Sequence, residues 1–294
     1  MRRAICILVL AILAGVACEP AAPPSGKPLV VASFYPLYEF ARHVAGDRAQ
    51  VESLVPAGVE PHDWEPSPQQ MVDVRKARLF VYNGAGFEPW ADKLVKDVAA
   101  SKTAIVDATN GLDLLKSDGA VDPHVWLDPV LAQAEVDAIR AGLAEIDPAN
   151  APRYADNARA FKARLAALDA AFAAGLAACE TRDVFTSHTA FSYLARRYRL
   201  VQVPVMGLAP ESEPSPAELA AIARRARRAN VRYVFVETLV SPRLAETLAR
   251  EVGARTLLLN PIEGLTKEEA AAGKGYVDLM EANLANLRTG LGCK

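Results

Sequence analysis

The sequence contains few histidines and cysteines, and it has neither a long apolar run nor a strong charge excess. Four histidines and four cysteines occur in 294 residues, whose formal net charge is -2. The basic run Arg224 to Arg228 is better explained as the solvated face of a helix than as a nucleic-acid site. HExxH, GxSxG and phosphate-loop motifs are absent. We therefore expect no nucleic-acid partner and no enzyme of these classes.

The N-terminus has the layout of an export signal. Arg2 and Arg3 precede an apolar run from Ala4 to Val16, which is too short to span a bilayer and is followed by Pro, Gly and Ser. We assign residues 1–17 to a signal peptide and 18–28 to a tether rich in Pro, Ala and Gly. Residues 13–18 resemble a lipobox with Cys18 as the lipidated residue, although Gly15 stands where such boxes usually carry Leu. The prediction is an exported protein, periplasmic or at the cell surface, with lipid anchoring favoured over plain secretion.

Two cysteines remain once the N-terminal segment is set aside. Cys6 leaves with the signal and Cys18 is the candidate anchor, so Cys179 and Cys293 are left. An oxidising compartment favours a disulfide between them, which would pin the C-terminus to the start of the second half. The alternative is two unpaired buried cysteines. Neither cysteine has the paired spacing of a structural zinc site.

Apolar segments alternate with amphipathic ones in two separate stretches of the chain. Short apolar runs and helical patterns alternate from Leu29 to Val106 and again from Val184 to Leu259. This alternation predicts an α/β fold with two parallel-sheet lobes, at residues 29–147 and 180–294. Residues 148–179 have apolar side chains at three- and four-residue steps, which predicts one long rigid helix that bridges the lobes. The Glu-Pro-Ser-Pro sequence at 65–68 recurs at 213–216 and favours an internal duplication.

Three of the four histidines lie in short motifs near predicted strand ends. His62 follows the second predicted strand, His188 ends a strand of the second lobe, and His124 precedes a helix that begins near Pro129. Asn260 ends the last predicted strand. Ligands of open parallel sheets gather at the carboxyl ends of strands, so these four side chains can face one cleft between the lobes. A single histidine near a strand end is more often structural, but three together favour a metal site; His43 is interpreted as an ordinary helix residue.

Several motifs in a fixed order make the chain similar to a known family over nearly its whole length after the signal. They are Ala32 to Leu37, Gly58 to Pro68, Asp122 to Pro129, Ser187 to Phe191, and Phe235 to Glu237 followed by Ser241-Pro242. The sequence resembles the metal-binding solute receptors of ABC importers that serve zinc and manganese. The resemblance implies that His62, His124 and His188 bind the metal between two lobes. It also implies delivery of the ion to a membrane permease driven by a separate ATPase subunit, and we expect the receptor to be a monomer.

The chain departs from that family at the fourth ligand. Many relatives carry an aspartate after the last strand, whereas this chain has Asn260. An amide oxygen is a weak donor, so Asn260, Glu60 or a water molecule are the alternatives for the fourth position. The histidine-rich loop that many zinc receptors carry before the second ligand is also absent, since residues 115–121 contain no histidine.

The donor set favours zinc over manganese as the bound ion. Three imidazoles suit Zn²⁺ in a tetrahedral site, whereas Mn²⁺ prefers more carboxylates and a higher coordination number. Manganese receptors of the family typically have a carboxylate where this chain has His188. Mn²⁺ is kept as the alternative cargo. Two other functions are considered, a hydrolase with zinc on three histidines and a secondary role as a surface adhesin.

Overall fold

The computed structural model describes residues 26–98, 101–117, 119–210, 212 and 214–294. The predicted signal peptide, Cys18 and most of the predicted tether lie outside these residues and stay predictions. Within the described ranges, none of the helices combines the length and the apolar character that crossing a membrane requires.

The first lobe is built on a four-stranded parallel sheet in the order β2-β1-β3-β4. Its strands are rich in Val, Leu, Ile and Phe, and three helices alternate with them along the chain. The strands are β1 (Leu29–Ala32), β2 (Gln50–Ser53), β3 (Leu79–Tyr82) and β4 (Ala104–Asp107), and the helices are α1 (Tyr35–Ala45), α2 (Pro68–Lys76) and α3 (Ala91–Val98). Because all four strands are parallel, their carboxyl ends meet at one edge of the sheet.

A helical segment connects the two lobes. It follows a small antiparallel hairpin of β5 (Lys116–Ser117) and β6 (Ala120–Val121) and a 3₁₀ turn at Val125–Leu127. The helices are α4 (Pro129–Ile146) and α5 (Ala151–Gly175), with a second 3₁₀ turn at Pro148–Asn150 between them. At 25 residues α5 is about 38 Å long. It lies inside the predicted range 148–179. It begins directly after the 3₁₀ turn, whose first residue is Pro148.

The second lobe repeats the order of elements of the first. Its elements are β7 (Asp183–Thr186), α6 (Ser192–Tyr198), β8 (Val201–Pro204), α7 (Pro216–Arg228), β9 (Tyr233–Val236), α8 (Arg243–Val252) and β10 (Arg255–Leu258), followed by α9 (Lys267–Ala271) and α10 (Tyr276–Leu291). Strand β7 pairs in parallel with β8, β9 pairs in parallel with β10, and β7 lies beside β9. The prediction of two parallel-sheet α/β lobes is confirmed.

The two proline-containing repeats begin equivalent helices. The Ser67 side chain accepts a hydrogen bond from Gln70 N at the start of α2, and Ser215 accepts one from Glu218 N at the start of α7. In each helix the N3 side chain bonds back to the serine backbone, which completes a capping box. The two lobes therefore share local structure as well as strand order, as the internal duplication predicts.

Helix α5 joins the lobes as part of a continuous core. It packs against α1 and α4 of the first lobe and against α10 of the second. Arg197 of α6 donates two hydrogen bonds of 2.6 Å to Asp169 of α5, and Tyr198 stacks on Phe172. Because one helix is packed on both lobes, a large hinge motion between them would expose apolar surface, so we expect only modest closure when a ligand binds.

The predicted disulfide between Cys179 and Cys293 is present. It joins residues 114 positions apart in sequence. Cys179 lies just after α5 and Cys293 just after α10, so the bond holds the last helix against the end of the connecting helix. The alternative of two unpaired cysteines is wrong.

A buried acid in α4 has no visible partner. Glu135 is fully buried, and neither of its carboxylate oxygens has a hydrogen-bond partner. Burial, and then the nearby Glu88, raise the pKa of Glu135 well above its usual value. Burial also raises the pKa of Glu88 to about 7. Glu135 therefore favours its neutral form in the folded chain.

Replacing Glu135 with methionine is expected to stabilise the protein at alkaline pH. An acid whose pKa is raised by folding binds more protons when folded, so its presence lowers stability as the pH rises. We expect Glu135→Met to raise the free energy of unfolding by about 1 to 3 kcal/mol at pH 8, the usual cost of an unpaired buried polar group, and by less at pH 4. Urea unfolding at both pH values tests this, with the exposed Glu145→Met in the same helix as control. A less stable Glu135→Met protein at pH 8 would contradict the assignment.

Candidate metal centre

Four side chains from both lobes converge on one point between the sheets. His62, His124, His188 and Glu263 each offer one ligand atom, and these atoms all lie within 4.8 Å of one another. The side chains of His124 and His188 are fully buried, that of Glu263 is 3% exposed and that of His62 is 9% exposed. The structure therefore brings together the three histidines that the sequence singled out and adds a carboxylate.

Each histidine is positioned by an acidic residue of its own lobe. The Glu60 carboxylate accepts a hydrogen bond of 3.0 Å from His62 N. Asp122 accepts a hydrogen bond of 3.0 Å from His124 N and lies 2.8 Å from His124 Nδ1. Glu237, which follows β9, accepts a hydrogen bond of 3.0 Å from His188 N and lies 2.5 Å from His188 Nδ1. His124 and His188 are thus held at both backbone and ring, and His62 at its backbone.

These contacts decide which ring nitrogen can bind a metal. A carboxylate beside Nδ1 holds the proton on that atom, so the lone pair of the neutral ring is on Nε2. The Nε2 atoms of His124 and His188 are buried and have no hydrogen-bond partner. Both point at Glu263 Oε1 from 3.3 Å. Unpaired buried nitrogens around a carboxylate oxygen are the arrangement that a bound cation would satisfy.

The charges of the cluster influence one another strongly. Burial lowers the pKa of His124, but the hydrogen bond to Asp122 and the nearby Glu263 carboxylate outweigh burial and leave that pKa raised. Burial also opposes protonation of His188, yet the charges of Glu237 and Glu263 raise its pKa well above the usual value. Glu263 is buried, which would raise its pKa, but the charges of His62 and His188 hold the pKa of this carboxyl well below its usual range. The site is therefore built to hold positive charge.

The distances from Glu263 to the three histidines fit a tetrahedral ion. Glu263 Oε1 lies 3.4, 3.3 and 3.3 Å from the Nε2 atoms of His62, His124 and His188 respectively. In a tetrahedral zinc site with bonds of about 2.0 to 2.1 Å, neighbouring donors lie roughly 3.3 to 3.4 Å apart. Three imidazoles and one carboxylate also match the borderline-soft character of Zn²⁺.

Asn260, one of the alternatives predicted for the fourth donor, uses its side chain in hydrogen bonds to neighbouring residues. Its Oδ1 accepts hydrogen bonds from Thr238 Oγ1 at 3.0 Å and Ile262 N at 2.8 Å, and its Nδ2 donates to Glu269 at 3.1 Å. These bonds fold the chain back after β10, with Ile262 in the left-handed region at φ 59°. The turn carries Glu263 into the cluster, so Asn260 shapes the site from outside it.

Aromatic rings cover the cluster on the side of the first lobe. Trp126 is fully buried, and its Nε1 donates a hydrogen bond of 2.8 Å to Pro261 O. Its ring lies edge-on to Phe34 and Phe87. Phe87 lies edge-on to the His62 ring at 4.9 Å. Trp64 instead packs on Trp90. Trp126 and Phe87 therefore lie against the histidines of the cluster.

Sequence reasoning missed Glu263 and Phe87. The sequence did contain one indication of Glu263, since it is a single acid between the apolar residues Ile262 and Leu265. An acid that is buried in such a segment needs a partner. His43, interpreted as an ordinary helix residue, stacks on Phe161 at 4.1 Å and pairs with Glu39, away from the cluster.

Comparison with known proteins agrees with this geometry. The family model described as "ZnuA: Zinc-uptake complex component A periplasmic" matches residues 30–290. The high-affinity zinc uptake system protein ZnuA of Bacillus subtilis is 40% identical over 304 residues, which cover 98% of this chain and 95% of that protein.

Relatives from streptococci share the sequence and the fold. The zinc-binding lipoprotein AdcA of Streptococcus pneumoniae is 39% identical over 93% of this chain, which spans 58% of its length. The crystal structure of its Zn(II)-bound ZnuA-like domain superposes with a TM-score of 0.81 at 41% identity, over 90% of this chain and 99% of that one. The laminin-binding protein Lmb of Streptococcus agalactiae superposes with a TM-score of 0.84 at 34% identity, over 90% of this chain and 100% of that one. It is described as a bifunctional protein with adhesin and metal-transporting activity.

Proposed function

This chain belongs to the family of periplasmic zinc-uptake components, and we propose that it captures Zn²⁺ outside the cytoplasm and delivers it to an ABC-type importer. We propose His62, His124, His188 and Glu263 as the ligands. The observation that carries the proposal is the convergence of three Nε2 atoms on one carboxylate oxygen at 3.3 to 3.4 Å. The zinc-binding names of the relatives support the same ion.

The donor set favours Zn²⁺ over Mn²⁺. The group consists of three histidines and one carboxylate, Glu263, so nitrogen donors outnumber carboxylate ligands. Mn²⁺ prefers oxygen donors and a higher coordination number, and it stands below zinc in the order of intrinsic affinity.

Delivery requires a membrane partner and a location outside the cytoplasm. We propose that a permease and its ATPase subunit accept the ion, and that the receptor reaches them as a monomer. The N-terminal residues support export, with residues 1–17 as the signal, 18–28 as the tether and Cys18 as the lipid anchor. The lipoprotein name of AdcA supports anchoring. The family is one of transport receptors, so a hydrolase is not proposed, and adhesin activity is attributed only to the streptococcal relative.

The proposal is tested by competitive metal titration of the metal-free protein. Zn²⁺ and Mn²⁺ are titrated against chelators of known affinity, with the parent and a His188→Ala variant. We expect one Zn²⁺ per chain, bound at least about 100-fold more tightly than Mn²⁺, as the donor set requires. Mn²⁺ binding as tight as Zn²⁺ binding, or unchanged zinc affinity in His188→Ala, would overturn the assignment.

Zinc affinity is expected to fall as the pH is lowered. Zinc requires neutral imidazoles, whereas the raised pKa values of His124 and His188 favour their protonated forms in the metal-free protein. The loss should therefore begin at a pH above 6.5, the value of an unperturbed histidine. Isothermal titration between pH 8 and pH 5, in buffers of different ionisation enthalpy, measures both the affinity and the protons released. A constant affinity across this range would contradict histidine ligation.

A further inference from the structure

A cavity of about 290 Å³ lies directly beside Glu263, on the side of α1. It is formed by α1, the end of β2 with the following loop, and the segment from Glu263 through α9. Its polar and charged lining residues are Tyr35, Tyr38, Glu39, Arg42, Ser53, Glu263 and Lys274. Ala57, Ala270 and Lys274 in its wall are exposed, so the cavity opens to solvent. It therefore connects the surface with the wall that carries one of the four proposed ligands.

A contact between loops separates the α1 cavity from the mouth of the cleft between the lobes. Gly58 N donates a 2.7 Å hydrogen bond to Leu265 O. At Gly264, a β-carbon would lie 3.0 Å from Leu239 Cδ1 and 3.4 Å from Val59 O, so these segments approach closely. A separate cavity of about 550 Å³ lies at the mouth of the cleft, lined by Val59, Glu60, Asp63, Trp64, Pro210, Leu239, Val240 and Ser241. None of these residues is a proposed ligand.

The inner wall of the α1 cavity carries negative charge. Glu39 is 4% exposed. Burial would raise its pKa, but His43 and Arg42 outweigh burial and lower it, so the carboxylate is ionised. The Arg42 side chain, which lies 3.3 Å from Glu39, is 56% exposed and sits towards solvent. The positive groups Arg42 and Lys274 therefore lie at the rim, and Glu39 and Glu263 lie deeper.

We propose that the α1 cavity is the route by which the ion enters and leaves, with Glu39 as a transient station before Glu263. The inference rests on the proposed zinc site. It differs from entry at the mouth of the cleft, where the cavity is lined by none of the four proposed ligands. At about 30 Å³ per water molecule, the cavity has room for an ion with part of its hydration shell. Glu263 lines this cavity and the three histidines do not, so a cation that enters here meets Glu263 before the imidazoles.

Filling the cavity tests the route. Ala57→Trp and Ala270→Trp place bulk in two walls of the cavity, Ser241→Trp places it at the mouth of the cleft, and Ala271→Trp alters an exposed neighbour that does not line the cavity. Zinc association is followed by stopped-flow mixing with a fluorescent zinc chelator, and dissociation by mixing the loaded protein with excess chelator. We expect both rates to fall by about tenfold in Ala57→Trp and Ala270→Trp, which leaves the Kd nearly unchanged. Parental rates are expected for Ser241→Trp and Ala271→Trp.

The charges of the cavity give an independent test. Glu39→Gln is expected to slow zinc association about threefold at low salt, and Lys274→Ala to accelerate it by a similar factor, with both effects lost at high salt. Parental rates in both cavity-filling variants, or equal slowing by Ser241→Trp, would overturn the route. The equilibrium Kd distinguishes a wrong route from a wrong zinc site. If the route is wrong, the parent protein still binds Zn²⁺ with a measurable Kd. If the zinc site is wrong, no such Kd is found.

Discussion

Replacement of Glu263 with alanine is expected to lower zinc affinity by more than about 100-fold, the upper range for loss of a residue that merely supports a ligand. Its carboxylate oxygen faces three imidazole nitrogens at 3.3 to 3.4 Å, so its removal takes away both a donor and the buried negative charge. Glu263→Gln keeps the shape but loses the charge, and we expect an intermediate loss. Competition with chelators of known affinity at pH 8 measures all variants on one scale.

Asn260→Ala is the matched comparison. Its amide holds the turn after β10 through Thr238, Ile262 and Glu269, so its loss should displace Glu263 without removing a donor. We expect about a tenfold loss of affinity, typical of a supporting residue. Should Asn260→Ala lose more affinity than Glu263→Ala, the fourth ligand would be Asn260, as first predicted from the sequence. Unchanged affinity in Glu263→Ala would assign the fourth position to water or another carboxylate.

Removal of the disulfide is expected to produce the largest change in stability. The bond closes a loop of 114 residues, for which the chain-entropy model gives about 4.7 kcal/mol, and native disulfides are typically worth about 2 to 5 kcal/mol. We expect the double variant Cys179→Ser, Cys293→Ser to lose a free energy of unfolding in this range. Urea unfolding of the metal-free protein measures it.

Two controls separate the disulfide from the zinc site. Reduction of the parent protein should reproduce the loss of stability, because the same constraint on the unfolded chain is removed. Excess Zn²⁺ should restore part of the stability by mass action, since it binds only the folded state. A double variant as stable as the parent, with the bond shown to be formed in that parent, would mean that α10 is held by packing alone.

The histidines could be identified from the sequence because their surroundings are local. His62, His124 and His188 each follow or precede a predicted strand or helix, and the carboxyl ends of parallel strands meet at one edge. The alternation of apolar segments likewise specified two α/β lobes, and the two serine-proline repeats predicted equivalent helix starts that both have capping boxes. The disulfide followed from the small number of cysteines left after export.

The fourth member of the cluster could not be identified in this way. The search for a ligand at the end of β10 selected Asn260, because the donor was expected directly after the strand. Whether residue 260 or 263 reaches the histidines depends on the turn between them, where Asn260 bonds to Ile262 N and Ile262 takes a positive φ. A backbone conformation of this kind is sparsely populated, so local sequence preferences do not predict it.

The sequence by itself determined the two lobes, the long helix between them, the cysteine pair and the three histidines, because each depends on periodicity, composition or residues near one another in the chain. Tertiary structure alone decided that Glu263 completes the cluster, that Glu237 directs Nε2 of His188 towards it, and that a cavity beside α1 reaches it. Those features join segments far apart in sequence. Their distances are set by how the lobes pack on α5, which no local pattern encodes.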